Sequence, residues 1–365
     1  MSIDTAGINV YGIISTKERN RIECMIKKVR VCNFKCYGPK GADFDLSRIN
    51  FIFGDNSAGK SSFLQFISKI DEVCSRDGRC NRSELDTFLF KQQTGEIAAK
   101  IRVINETEQT SSDEVWQFRA SKDRNDEYEL VDANGQMVDI EKLNRVLPVL
   151  KGPHVVHVEA NRKTYAQVHN ETLFLSTFLK QAAIETSDAS RKYLNDILER
   201  LGVPYSCVVD MEAHEISASH IHDDIFDIDI PLKDVGTGID GLFNLAMVLC
   251  EWRGGILAIE EPETNVSEEQ MSALTTVLIE EALGKPNGQL IVECHSELML
   301  LKVMQLIKTH ALPSFSPNDV RILYATRKEA GTEIVPCSIN ENGRVDRWPN
   351  PNGFFSARDR ILFGE

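Results

Sequence analysis

The sequence predicts an α/β fold built on a largely parallel sheet. Short apolar runs at 49–53, 255–259 and 290–293 read as buried strands, and each is followed by a segment of helical periodicity, at 61–70, 268–283 and 296–310. The first strand is joined to its helix by a glycine-bearing loop. Repeated strand-then-helix units of this kind mean helices packed on a parallel sheet.

The remaining elements follow in chain order. Residues 1–23 show no clear periodicity and read as an N-terminal extension. Met25–Asn33 alternates through Ile26, Val29 and Val31, the pattern of a strand. Residues 71–95 are polar and read as irregular. Ile97–Ile104 and Glu114–Ala120 read as strands around a polar loop, Asn105–Asp113. Ser121–Gln136 is turn-rich, with a hairpin signal at Asn134-Gly135. Val155–Val158 reads as a buried strand, and Leu173–Leu201 as a helical arm broken near Thr186–Asp188. Val203–Asp210 and Glu215–Ile221 read as a hairpin, and Asp234–Trp252 as a helix with glycines at its start. Gly284 stops the helix Glu268–Leu283. Val320–Thr326 and Glu333–Ser338 read as closing strands. There is no internal repeat and no long heptad array, so no long coiled-coil arm is encoded.

Composition narrows the class. At 365 residues with 42% apolar content, the chain has ample length for a core and is globular rather than disordered. No apolar stretch approaches a membrane span, and Met1–Thr16 lacks the features of a signal peptide, so a cytoplasmic location is expected. Nine scattered cysteines with no C-x-x-C pair read as reduced structural thiols. The formal charge of -14 weighs against extensive contact with nucleic-acid phosphates. Lys27, Lys28, Arg30, Lys35 and Lys40 form a local basic cluster, read as a solvated strand face.

Chemistry concentrates in a few places. Gly54-Asp55-Asn56-Ser57-Ala58-Gly59-Lys60-Ser61 fits G-x-x-x-x-G-K-S/T between an apolar strand and an amphipathic helix. Backbone N–H groups of such a loop wrap nucleotide phosphates, and the following helix points its positive end at the same anion. In this pattern Lys60 reaches the β- and γ-phosphates and Ser61 holds Mg²⁺. Glu260 and Glu261 close the strand 256–261, where ligands of parallel sheets sit; Glu260 suits the Mg²⁺ shell and Glu261 the polarisation of the attacking water. His295, directly after the strand 290–293, is placed to touch a γ-phosphate.

Asp234–Asp240 brings Gly236 and Gly238 to a helix start, either a plain helix cap or a second anion surface that serves a nucleotide held by another copy. Gln92 and Gln93 precede a strand and read as a surface loop, with a metal-sensing glutamine as the alternative. His220 and His222 read as alternating residues on a strand face rather than as metal ligands.

Together these elements resemble the ATPase heads of the SMC, RecF and ABC group, and in particular small stand-alone bacterial ATPases of anti-phage defence systems. Asn33-Phe34-Lys35-Cys36-Tyr37 and Ile49–Gly54 resemble the group's first strands and Walker A approach. Glu260-Glu261-Pro262-Glu263 is similar to its Walker B with catalytic glutamate, and His295-Ser296 to its switch histidine. Val158–Arg162 is similar to a segment ending in a recurring arginine. Asn342-Gly343-Arg344 through Trp348-Pro349 and Gly353-Phe354-Phe355 resemble an uncharacterised C-terminal module found on the same ATPases.

Two segments depart from the group. Asp240-Gly241 stand where it often carries serine and glutamine, so Asp240 either turns away from the phosphate or marks a degenerate signature. Thr264-Asn265-Val266-Ser267 replace a His-Leu-His-Pro run at the dimer-contact loop.

The resemblance implies an ABC/SMC-type P-loop ATPase head, mostly parallel sheet flanked by helices, with an antiparallel β subdomain and a helical insertion at about 165–201. The head would span 24–338 and a tail module 339–365. It implies ATP and Mg²⁺ as cofactors, with Gly54, Asn56, Ser57, Ala58, Gly59, Lys60, Ser61, Ser62, Gly236 and Gly238 on the nucleotide. Ser61, Glu260 and Gln93 would hold the metal, and Lys60, Glu261 and His295 would act in catalysis. The expected partners are a second copy, closing around nucleotide, and a separate effector such as a nuclease or toxin. A DNA-repair-type clamp and an ATP-gated scaffold with little hydrolysis are the alternatives.

Overall fold

The apolar runs come together at the centre of one sheet, and the rest of the chain is arranged around it. The computed structural model describes residues 25–90, 97–106, 111–146, 155–160, 187–210 and 215–345. The strands are, in order, β1 (Ile26–Cys32), β2 (Ala42–Asp45), β3 (Ile49–Gly54), β4 (Arg79–Asn81), β5 (Ile97–Glu106), β6 (Ser111–Ala120), β7 (Glu127–Val131), β8 (Val155–Val158), β9 (Tyr205–Asp210), β10 (Glu215–Asp223), β11 (Ile228–Pro231), β12 (Ile256–Glu260), β13 (Gln289–Glu293), β14 (Val320–Lys328) and β15 (Gly331–Cys337). The helices are α1 (Lys60–Ser75), α2 (Arg82–Asp86), α3 (Ile140–Val146), α4 (Ser187–Arg200), α5 (Thr237–Glu251), α6 (Glu268–Gly284) and α7 (Glu297–Thr309).

The central sheet has the order β15-β14-β3-β13-β12-β8. Five of its strands are parallel, and β15 returns antiparallel along β14 at one edge. β3, β12 and β13 are buried along their whole length, which is why they read as continuous apolar runs rather than alternating ones. Alternate side chains serve two cores. Ile52, Ala258 and Ile291 face α1 and the second sheet, whereas Phe51, Phe53, Leu257, Ile259 and Val292 face the layer of α4 to α7.

The second sheet, β2-β1-β5-β6-β7-β4, is antiparallel throughout. α1 is packed between the two sheets, with Phe63, Leu64, Phe66, Ile67 and Ile70 all buried. Phe63 stacks on Phe44 of β2 at a centroid distance of 3.6 Å. A third, three-stranded sheet, β11-β10-β9, leads through a short turn of 3₁₀ helix into α5.

Several expectations need correction. Residues 71–95 are not irregular as far as they are described: α1 continues to Ser75 because Val73 and Cys74 keep its buried face going, and β4 and α2 follow. β4 was hidden because only Cys80 of its three residues is buried. β5 and β6 run well into the segment expected to be a loop, pairing as far as Glu106 with Ser111. The turn-rich segment holds β7, with a turn around Gly135 at φ 75 as its Asn-Gly pair predicts. β11 is an additional strand; its side chains are largely exposed, so its pairing with β10 leaves no apolar signal.

Of the basic cluster, Arg30 pairs with Asp43 (Nε to Oδ1, 2.8 Å) and Lys28 with Asp45 at 3.5 Å across β1 and β2, as a solvated face should. Lys35 differs: it is half-buried, donates to Gln65 and lies 4.6 Å from the Phe88 ring centre.

Phe63 ties α1 to the second sheet, so Phe63→Ala should destabilise the fold by about 3–5 kcal/mol, read as a lower urea midpoint at unchanged slope.

Candidate functional site

β13 lies between β3 and β12, so the carboxyl ends of three parallel strands stand side by side. Glu260 is in register with Glu293, and Glu293 with Ile52. The loops that leave these strand ends therefore converge on one crevice, the place where parallel sheets bind ligands.

The loop after β3 is held by its neighbours. Gly54 has φ 143 and runs so close to β14 that a Cβ would collide with the Ala325 carbonyl, so only glycine fits. At Gly59, φ 96, a Cβ would strike the Cys36 sulfur. The Tyr37 hydroxyl donates to the Gly59 carbonyl at 2.5 Å, and Thr332 Oγ1 to the Ala58 carbonyl at 2.9 Å. Asp55, Asn56 and Ser57 remain exposed above these braces, Ala58 is buried, and Ser62 is half-buried in the first turn of α1.

α1 starts on Gly59 with no capping side chain and no acid in its first turn, whereas α6 and α7 are capped by Ser267 and Ser296. The first amides of α1 are thus left for an outside anion. Lys60 is 3% exposed, and its Nζ donates to the carbonyls of Gly54 (3.2 Å) and Asp55 (3.0 Å). Burial lowers its pKa, opposed by the charges of Glu293, Glu261, Asp55 and Glu263.

The acids complete the crevice. Glu260 is buried, with Oε1 3.0 Å from Nε2 of His157 on the adjacent β8. Glu261 turns the chain sharply at φ 43, a left-handed conformation uncommon for glutamate, and its N–H donates to the Glu293 carbonyl at 2.9 Å. Its carboxylate is 3.4 Å from His295 Nε2 and accepts from Thr264 Oγ1 at 3.3 Å. The His295 N–H donates to Glu263 Oε1 at 2.5 Å, which fixes the backbone under the ring. Burial, then the charge of Lys60, hold the His295 pKa below the usual imidazole value, so the ring is neutral at pH 7.

Glu293 is 3% exposed and its Oε1 lies 4.0 Å from Lys60 Nζ. Burial pushes its carboxyl up to about 7. Its Oε2 has no hydrogen-bond partner.

Lys60, Ser61, Glu260, Glu261 and His295 are therefore brought together at three adjacent strand ends. Gly236 and Gly238 lie elsewhere, at the start of α5: Gly236 has open space around it, and a Cβ on Gly238 would collide with the Asn265 carbonyl in the loop after β12. Asp240 is half-buried and accepts from Asn244 Nδ2 at 3.0 Å, one turn along its own helix. His222 pairs with Asp229 at 2.9 Å across the β10–β11 hairpin, on a strand face. Gln92 and Gln93, Asn161 and Arg162, most of the helical arm, and the tail from Asp346 lie outside the described residues.

Sequence reasoning missed Glu293 and His157. Glu293 carried a signal only in that it is an acid ending an apolar strand, as Glu260 does. His157 carried none, because its contact depends on β8 pairing with a strand some hundred residues away. Ser61 and Glu260 are hard oxygen donors suited to Mg²⁺, and the unpartnered Oε2 of the buried Glu293 leaves a further oxygen acceptor beside them.

Residues 25–143 match a family described as "AAA ATPase domain", and residues 315–359 a family described as "Protein of unknown function (DUF3696)". No curated protein matches the chain in sequence. Among solved structures, the fold is shared with SMC heads. An SMC head bound to the C-winged helix domain of ScpA aligns at a TM-score of 0.58 and 15% identity, covering 87% of this chain and 98% of that one. The SMC head with an extended coiled coil from Pyrococcus furiosus, bound to the C-terminal domain of ScpA, gives 0.58 and 12%, covering 93% and 99%. The Thermotoga maritima SMC head gives 0.50 and 14%, covering 86% and 98%. The chain therefore has the α/β P-loop fold of SMC heads.

Between its ordinary value of 4.5 and about 7, Glu293 holds a proton in the folded chain that the unfolded chain releases. Its contribution favours the fold at low pH and is lost as pH rises through about 7. Glu293→Gln should accordingly melt a few degrees above wild type at pH 8, with the gap closing toward pH 5 in scanning calorimetry.

Proposed function

We propose that this chain binds ATP with Mg²⁺ and hydrolyses it, as an ABC-type head that closes on a second copy of itself. The observation that carries the reading is the convergence of Lys60, Ser61, Glu260, Glu261 and His295 at the ends of β3, β12 and β13.

The roles follow from position. The Gly54–Ser61 loop and the uncapped start of α1 grip the phosphates, with Lys60 released from its two loop carbonyls to reach them. Ser61 and Glu260 hold Mg²⁺, which neutralises phosphate charge when bound. Glu261, steered by its left-handed backbone, accepts a hydrogen bond from the attacking water and polarises it. The neutral His295 ring beside it contacts the terminal phosphate. Phosphoryl transfer of this kind rests on positioning and charge stabilisation.

The second copy supplies the start of α5. Gly236 and Thr237 are exposed there, no side chain caps the helix, and Asp240 is turned back onto Asn244. We take the head as residues 24–338 with a tail module from 339. The resemblance of the motifs to ATPases of anti-phage systems supports coupling to a separate effector, and the net charge of -14 favours a protein partner over DNA. Two of the similar SMC heads were solved with domains of ScpA, so heads of this fold do carry protein partners. None of the described helices is long and apolar enough to cross a membrane.

Lys60→Ala should cut ATP turnover by about a hundredfold or more in a phosphate-release assay. Glu261→Gln should keep ATP bound and double the mass seen by light scattering, whereas wild-type turnover from this variant would remove Glu261 from its role. Co-purification with a neighbouring gene product, unaffected by DNA, is expected; DNA-stimulated turnover that falls steeply with salt would favour a DNA clamp instead.

A further inference from the structure

The same strand ends hold a donor set that stands open to a cation before any nucleotide arrives. Glu261, Glu293 and His295 each offer one donor atom, and these atoms lie within 4.8 Å of one another. It is the one such three-ligand group among the described residues. Glu293 is the buried member of this group. It is only 3% exposed, it belongs to the cluster, and its Oε2 has no hydrogen-bond partner. A buried carboxylate oxygen left without a donor is costly unless something else fills the place.

Lys60 does not fill it. Its ammonium is spent on the carbonyls of Gly54 and Asp55 and stands 4.0 Å from the other oxygen, Oε1. Against this one lysine stand Glu260, Glu261 and, above about pH 7, the ionised Glu293, so at that pH the pocket favours a further cation. Glu260 is engaged with His157 instead, outside the cluster. The Cys294 thiol, next in the chain, is buried toward Met299 and Ser296 and is no part of the group. Two carboxylates and one imidazole form a mixed oxygen and nitrogen set, which suits Mn²⁺, Fe²⁺ or Zn²⁺ better than the all-oxygen shells of Mg²⁺ and Ca²⁺.

We propose that Glu261, Glu293 and His295 bind a first-row transition-metal dication in the nucleotide-free head. Such an ion engages the two side chains that hydrolysis would need for water and terminal phosphate, so the metal-loaded head is a resting form. The site stands whether or not the chain hydrolyses ATP.

Mn²⁺ is the probe, because it avoids thiols and reports by paramagnetic resonance. The full chain is titrated with Mn²⁺ without nucleotide, and pulsed resonance is used to look for nitrogen coupling from a bound imidazole. Wild type should take up one Mn²⁺ per chain with nitrogen coupling. Glu293→Gln and His295→Ala should each weaken binding by about tenfold or more, and His295→Ala should also abolish the coupling. Circular dichroism confirms that both variants fold; His295 is half-exposed, so its variant keeps the test open even if the buried substitution perturbs the fold. Absence of saturable binding, absence of nitrogen coupling, or an affinity that a folded variant leaves unchanged would overturn the assignment.

Discussion

Parallel pairing of β13 between β3 and β12 is the constraint on which everything else rests. Three strands far apart in sequence are locked in register, Ile52 beside Glu293 beside Glu260, and their side chains are buried along the whole length. A one-residue slip would swap the faces of each strand, moving Phe51 and Phe53 out of one core and Ile52 out of the other. Two packed layers thus fix the register, and the register fixes the distance between the lysine of one loop and the acids of another.

The second sheet does more than cover α1. Its first strand leads into Cys36 and Tyr37, and the tip of the β14–β15 hairpin brings Thr332 to the same place. Tyr37 and Thr332 hold the carbonyls of Gly59 and Ala58, and the closeness of Ala325 and Cys36 leaves no room for a side chain at Gly54 or Gly59. The loop is therefore shaped before any ligand arrives, so little ordering remains to oppose binding. The left-handed turn at Glu261 is local strain of the same kind, held by one backbone hydrogen bond to Glu293.

Much of this was legible from residue order because the informative signals are local. The loop Gly54–Ser61, its flanking strand and helix, and the Glu260–Glu261 pair each lie within one short window. What was not legible depends on contacts between distant segments or on backbone pairing without apolar side chains. His157 meets Glu260 only because β8 and β12 are neighbours, and β11 is joined to β10 through its backbone with exposed side chains. Glu293 was visible as a residue but not as a buried one, since an acid at a strand end looks like a solvated cap until its neighbours are known. Asp240 was left open between facing a phosphate and turning away, and its hydrogen bond to Asn244 resolves where it points in this state.

The braced loop and the uncapped start of α1, next to Lys60, Ser61 and Glu260, should take up a magnesium nucleotide, and every role proposed for the site depends on that uptake. Equilibrium binding of labelled ATP to the purified chain, with magnesium and then with the metal chelated away, tests it most directly. Saturable uptake of one nucleotide per chain, much tighter with magnesium, is the predicted result. No uptake at millimolar ATP and magnesium would contradict it.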